Sequence, residues 1–98
     1  MDLRDVTGFE WDDGNLTKNK KHNVLPSEIE RVFMNRPLLI VPDKVHSQAE
    51  ERFAALGKTD EARWLAVVFT LREQKSKVCP ISARPMNRKE RKVYAEAS

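Results

Sequence analysis

Ninety-eight residues, 40% hydrophobic and 34% charged, suit one soluble globular domain with a single modest core, and the composition lacks the low hydrophobicity of a disordered chain. A lone cysteine, Cys79, rules out an internal disulfide, and that cysteine with two widely spaced histidines matches no zinc-ligand spacing. The net charge of +3 is unevenly spread, net −1 over residues 1–49 (7 basic, 8 acidic) and net +4 over 50–98 (11 basic, 7 acidic), so nucleic acid or an acidic protein would be drawn to the C-terminal half.

In chain order, M-D-L-R-D-V-T-G lacks the charged-then-apolar pattern of a signal peptide. F-E-W-D (9–12) reads as a short strand or anchoring segment, with Phe9 and Trp11 on one side. Asp12 suits the N-cap of a polar helix through D-G-N-L-T-K-N-K-K-H, expected to end at His22-Asn23 because Asn tolerates the left-handed conformation of a helix end. A second helix is expected to begin between Leu25 and Ser27, where Pro26 suits a first turn and Ser27 with Glu30 matches the S-x-x-E capping box. Ile29, Val32 and Phe33 form its buried face, and Asn35-Arg36-Pro37 ends it.

The apolar period then changes from helix to strand. L-L-I-V (38–41), E-R-F-A-A-L (51–56, stopping at Gly57), W-L-A-V-V-F-T-L (64–71) and K-V-C-P-I-S-A (77–83) are four candidate strands. The short turns between them imply an antiparallel meander, since a parallel crossover needs a dozen or more residues. The third strand, apolar on both faces, belongs at the centre; its W-L-A-V-V-F is too short to span a bilayer, so a cytoplasmic location is expected. Pro80 cannot donate a ladder hydrogen bond, which makes the fourth strand an edge or bulged. Asn87, with Glu90 three residues on, caps a C-terminal helix in which Val93 and Ala97 can pack inward and Arg88, Arg91 and Lys92 point outward. The expected fold class is α+β in the order α-α-β-β-β-β-α: two N-terminal helices, a four-stranded antiparallel sheet and a C-terminal helix in one domain over residues 1–98.

Taken together, F-E-W-D, K-H-N-V, R-V-F, D-K-V-H-S with E-E-R-F-A-A-L-G, and I-S-A-R-P followed by R-K-E-R-K-V-Y resemble the BrnT family of bacterial type II toxins, over about residues 9–96. The resemblance implies a RelE-like fold and a metal-independent ribonuclease that arrests translation. It also implies neutralisation by a BrnA-type antitoxin bearing a ribbon-helix-helix DNA-binding domain, through which the complex represses its own operon. No cofactor is implied. The chain departs from the family pattern at K-H-N-V, where Gly is more usual than Asn23, and at Cys79-Pro80, which puts the regularity of the last strand in question. Its first eight residues extend beyond the family's usual start and are expected to be flexible or partner-dependent.

Metal-free RNA cleavage by the 2′-hydroxyl needs a proton acceptor, positive charge on the phosphate and a donor to the leaving oxygen. Arg84, leaving the last strand, is the first candidate for the phosphate, because a planar guanidinium grips it with two donors at once; the plain alternative is a surface arginine paired with a carboxylate. Arg52 is the second candidate phosphate ligand, and strand alternation sends its neighbour Glu51 to the opposite face, as an alternative base or a salt-bridge partner. His46, in a turn, titrates near neutral pH and suits a general acid or base, or else hydrogen-bonds the turn. Arg88, Arg91 and Lys92 are as a group, and no one of them singly, candidates for RNA or antitoxin contact, solvated charge being the commoner fate of such residues. Lys21 and His22 complement a helix dipole or touch RNA. Trp11, Trp64, Phe33, Phe53 and Phe69 read as core, while Tyr94 stacks on a base or packs on the sheet. Beside the ribonuclease stands a reading of another class: a non-catalytic basic binding module for nucleic acid or an acidic protein, a degenerate toxin.

Overall fold

The run from Trp64 to Arg72, apolar on both faces, forms the central strand of a five-stranded sheet. The computed structural model describes residues 3, 5–11, 23–43 and 50–97. Within them the elements are β1 (Gly8–Phe9), α1 (Pro26–Met34), β2 (Leu39–Pro42), β3 (Arg52–Lys58), β4 (Trp64–Arg72), β5 (Lys77–Pro85) and α2 (Arg88–Ala97), with strand order β1-β5-β4-β3-β2. The chain is α+β, and β4 is central as its composition predicts.

The sheet is mixed, where the sequence suggests four antiparallel strands. β2, β3, β4 and β5 do form an antiparallel meander, but β1 adds a fifth strand parallel to β5, pairing Gly8 with Lys77 and Phe9 with Val78. The crossover from β1 to β5 contains the rest of the sheet, so the rule that excludes short parallel connections never applied to it. The polar helix expected from Asp12 lies outside the described residues. Asn23, which would follow it, has φ 54°, the left-handed conformation assigned to it.

α1 ends at Asn35 as expected, but its start differs in one detail. Leu25 is the N-cap and Pro26 the first helical residue, so the carboxylate returning to the cap is Glu28, accepting from Leu25 N–H at 2.9 Å. Ser27 and Glu30 are therefore two positions too far along; Glu30 instead accepts from the Trp11 indole at 3.0 Å. Ile29, Val32 and Phe33 are buried against the sheet, each worth roughly 1.5–3 kcal/mol of transfer free energy. Phe33 meets Phe69 edge-on at 5.2 Å, and Phe53 lies 5.6 Å from Phe69.

On the opposite face Leu56, Ala66, Thr70 and Cys79 are buried and Ala54, Val68 and Ser82 half-buried. Tyr94 of α2 is fully buried among Leu56, Ala66 and Met86, and its hydroxyl donates to the Pro37 carbonyl at 2.7 Å. Val93 is 45% exposed and Ala97 is exposed too, so the inward stripe of α2 is not the one expected. Asn87, Glu90, Arg91 and Tyr94 follow the helical repeat along the sheet, and the burial of one large aromatic outweighs that of Val93 and Ala97.

Candidate functional site

Strand register decides which of the basic residues reach the α2 face of the sheet. On β4, Leu65, Val67 and Phe69 point to α1, so Ala66, Val68 and Thr70 point the other way. The partners of these three on β3 are Leu56, Ala54 and Arg52, and on β5 Arg84, Ser82 and Cys79. Arg84 and Arg52 thus share one face. They stand two strands and four residues apart, about 16 Å between Cα atoms from standard sheet spacings. Between them lies a row of half-buried small side chains, Ala54, Val68 and Ser82.

Arg84 reaches that face only because β5 is irregular. Val78 and Pro80 belong to the α1 side, and strict alternation would put Arg84 there as well. The ladder shifts between Val68 and Phe69, which pair with Ser82 and Pro80, so Ile81 is an extra residue and the alternation restarts. Ala83 then joins the α1 core and Arg84 turns to the α2 side. Of the two outcomes that Pro80 allowed, bulge or edge, the structure has the bulge, with β5 flanked on both sides along its first residues.

Arg84 is not a bare cation. Its Nη1 and Nη2 donate to the two carboxylate oxygens of Glu90 at 2.6 and 2.9 Å, and Nη1 also to the Pro85 carbonyl at 3.3 Å. Hydrogen bonding from Arg84 holds the Glu90 carboxyl below the usual carboxylate range, against the opposing effect of burial, and the same bond raises Arg84 above its ordinary value. Glu90 also closes the predicted capping box: Asn87 N–H donates to Glu90 at 2.9 Å and Glu90 N–H to Asn87 Oδ1 at 2.9 Å.

The backbone around Arg52 is tied on both sides. Thr70 Oγ1 donates to the Glu51 carbonyl at 2.7 Å, and Asp43 N–H to the Arg52 carbonyl at 2.9 Å. Glu51 precedes β3 and its side chain is exposed. Its neighbour Glu50 is bound to Arg72 at 3.0 Å, and Arg72 also meets Glu10 at 3.5 Å. On α2, Arg88, Lys89 and Lys92 are exposed with no ion pair among the described residues. Arg91 instead lies 5.4 Å over the Trp64 ring, itself edge-on to Tyr94 at 4.8 Å. Tyr94 therefore packs on the sheet. His46, Lys21 and His22 lie outside the described residues.

The candidate site thus has Arg84 and Arg52 on one face of the sheet, about 16 Å apart, with Arg91 over Trp64 and Arg88 and Lys92 exposed on α2. It adds two things that the sequence reading lacked: the small-residue row, hidden by the bulge, and Glu90 as the Arg84 partner, whose only sequence signal was its place in the capping box. Among the described residues no group of three or more His, Cys, Asp or Glu side chains is placed to hold a metal ion, and no helix is long and apolar enough to cross a membrane.

A family model described as "Ribonuclease toxin, BrnT, of type II toxin-antitoxin system" matches residues 11–90. A search of curated proteins finds no match.

Proposed function

The chain belongs to the BrnT family of ribonuclease toxins of type II toxin-antitoxin systems, and from that premise we propose that it is a metal-independent endoribonuclease acting in the cytoplasm on the α2 face of its sheet. Arg84 and Arg52 grip the scissile phosphodiester and stabilise the charge that builds as the 2′-hydroxyl attacks. His46 moves the protons, taking that of the hydroxyl and returning one to the leaving oxygen, with Glu51 as the alternative base. Arg88, Arg91 and Lys92 extend the positive field along the RNA, with Lys21 and His22 as further contacts. Cleavage arrests translation, and a BrnA-type antitoxin with a ribbon-helix-helix domain covers the basic face and carries the complex to operator DNA.

The observation that carries this reading is the β5 bulge, which turns Arg84 out of the α1 core and onto the face that holds Arg52. Purified protein is expected to cut single-stranded RNA in the presence of a chelator, leaving the cyclic or 3′-phosphate ends that 2′-hydroxyl attack produces. Activity restored only by added divalent metal would overturn the mechanism.

One observation favours the second reading, a binding module without chemistry: the Arg84 charge is already matched by Glu90. That protein would retain RNA and release it uncut, and its expression without a partner would not stop growth.

A further inference from the structure

Glu90 does more than a helix cap requires. Capping accounts for the hydrogen bond it accepts from Asn87 N–H, but not for the two it accepts from the Arg84 guanidinium. The pair is only partly open to solvent, Glu90 at 21% and Arg84 at 40% side-chain exposure. Its geometry is a fork on a fork, the arrangement with the strongest directional preference.

A guanidinium carries five N–H groups in one rigid plane. Glu90 takes one from each terminal nitrogen, and the Pro85 carbonyl takes the second from Nη1. The remaining edge, Nε–H beside the second Nη2–H, meets no acceptor among the described residues. That edge is itself a bidentate donor, shaped for two oxygens of one phosphate.

We infer that Glu90 is a positioning residue, which holds the terminal end of the Arg84 fork so that its Nε/Nη2 edge is presented to a phosphodiester of RNA. The inference rests on the reading of Arg84 as phosphate ligand. An arginine held by its neighbour loses less rotamer freedom on binding than one swinging from a strand end. The partial cancellation of charge costs long-range attraction, which the exposed Arg88, Lys89 and Lys92 of the same helix offset. Because Glu90 is anchored through the N-cap of α2, the helix that covers one end of the face also sets the aim of the arginine beside it.

Two variants of the full chain separate aiming from capping. Glu90→Gln keeps a residue that serves in the capping box and breaks the fork-on-fork pair. Asn87→Ala removes the cap side chain but leaves the Asn87 N–H and the ion pair. Each is measured for cleavage of a short RNA and for binding of its 2′-O-methyl counterpart, which cannot be cut by 2′-hydroxyl attack. Glu90→Gln is expected to lower kcat by about 10- to 100-fold, the loss typical of a misplaced contact, and to weaken analogue binding, with a fall in Tm no larger than that of Asn87→Ala. Asn87→Ala is expected to lower Tm while kcat stays close to the parent value. In an Arg84→Lys background Glu90→Gln is expected to add nothing, because its action runs through the arginine fork. Full additivity with Arg84→Lys, or activity falling only in step with Tm in both variants, would overturn the inference. A parent protein that binds the analogue but cuts no RNA overturns the ribonuclease reading instead, and the same cycle scored on binding then decides the role of Glu90.

Discussion

Along β4, Leu65, Val67 and Phe69 are wholly buried under α1, while of the residues one out of step, Ala66 and Thr70 are buried and Val68 between them is half-buried. The first face is aromatic and aliphatic throughout, closed by Phe33 and Phe53 against Phe69. On the second, a small cluster around Tyr94 gives way to small side chains flanked by two arginines. A sheet in which one face supplies stability can leave the other free to hold charge in fixed places. The contrast predicts that substitutions toward α1 act on folding and those toward α2 on activity.

The largest effect is expected at Phe69. Replacing it with alanine removes the ring on which Phe33 and Phe53 converge, at about 3–5 kcal/mol, a large part of the 5–15 kcal/mol that holds a typical domain folded. Denaturant unfolding should show the midpoint collapse, and a Phe69→Ala protein of near-parental stability would break the contrast. Arg84→Ala should do the reverse. Loss of a donor to a developing negative charge costs roughly 10²- to 10³-fold in kcat, whereas loss of a partly exposed ion pair costs only about 0–1 kcal/mol of stability. An Arg84→Ala protein that melts normally and cleaves at the parental rate would remove Arg84 from the site.

Gly57 tests how closely the first face is packed. A Cβ there would stand 2.8 Å from Val32 Cγ1 and 3.2 Å from the Val32 carbonyl oxygen, so α1 lies against β3 at a distance only glycine allows. Gly57→Ala should cost about 1–3 kcal/mol through overpacking. A smaller loss, about 1 kcal/mol, is expected of Tyr94→Phe, which keeps the ring and leaves the Pro37 carbonyl without its hydroxyl donor. If Tyr94→Phe proved the more damaging of the two, α2 would be held by that hydrogen bond rather than by its buried ring.

Local signals in the sequence led to the right local structure. The 3.6-residue repeat of Ile29, Val32 and Phe33, the two-faced apolar run of β4, the Asn87–Glu90 capping box and the left-handed Asn23 are all in place. What the sequence concealed is non-local. F-E-W-D suggested a short strand or an anchoring segment without showing its partner; the strand is Gly8–Phe9, and it pairs only when β5 arrives beside it. The facing of Arg84 hung on whether Pro80 produced a bulge or an edge, and one extra residue reverses every side chain beyond it. The inward stripe of α2 could not be read because Val93 and Tyr94 lie on adjacent stripes, and only the sheet beneath decides between them. Glu90 was legible as a cap but not as a clamp, since its second partner comes from another element.

The pH dependence of stability separates the same two sides at the smallest scale. On the α1 side, Asp60 is held below its ordinary value of 3.8 by hydrogen bonds from Asn35 and Arg31, in an exposed pair. On the α2 side, Glu90 is held below 4.5, chiefly by Arg84, in a partly buried pair. Both are carboxyls whose folded pKa is depressed, so each contributes stability that is fully present above its unfolded pKa and is lost as pH falls through the lower folded one. Unfolding followed from neutral pH down to about pH 3 should therefore show stability declining below about 4.5, the ordinary value for Glu90. Glu90→Gln should flatten that decline more than Asp60→Asn does, because solvent and salt screen the exposed pair and the half-buried one much less. Added salt should narrow the contribution of Asp60 and leave most of that of Glu90. If both variants flattened the decline equally, and salt erased both alike, the Arg84–Glu90 pair would be an ordinary surface contact, and the α2 face would lack the fixed geometry that sets it apart from the α1 face.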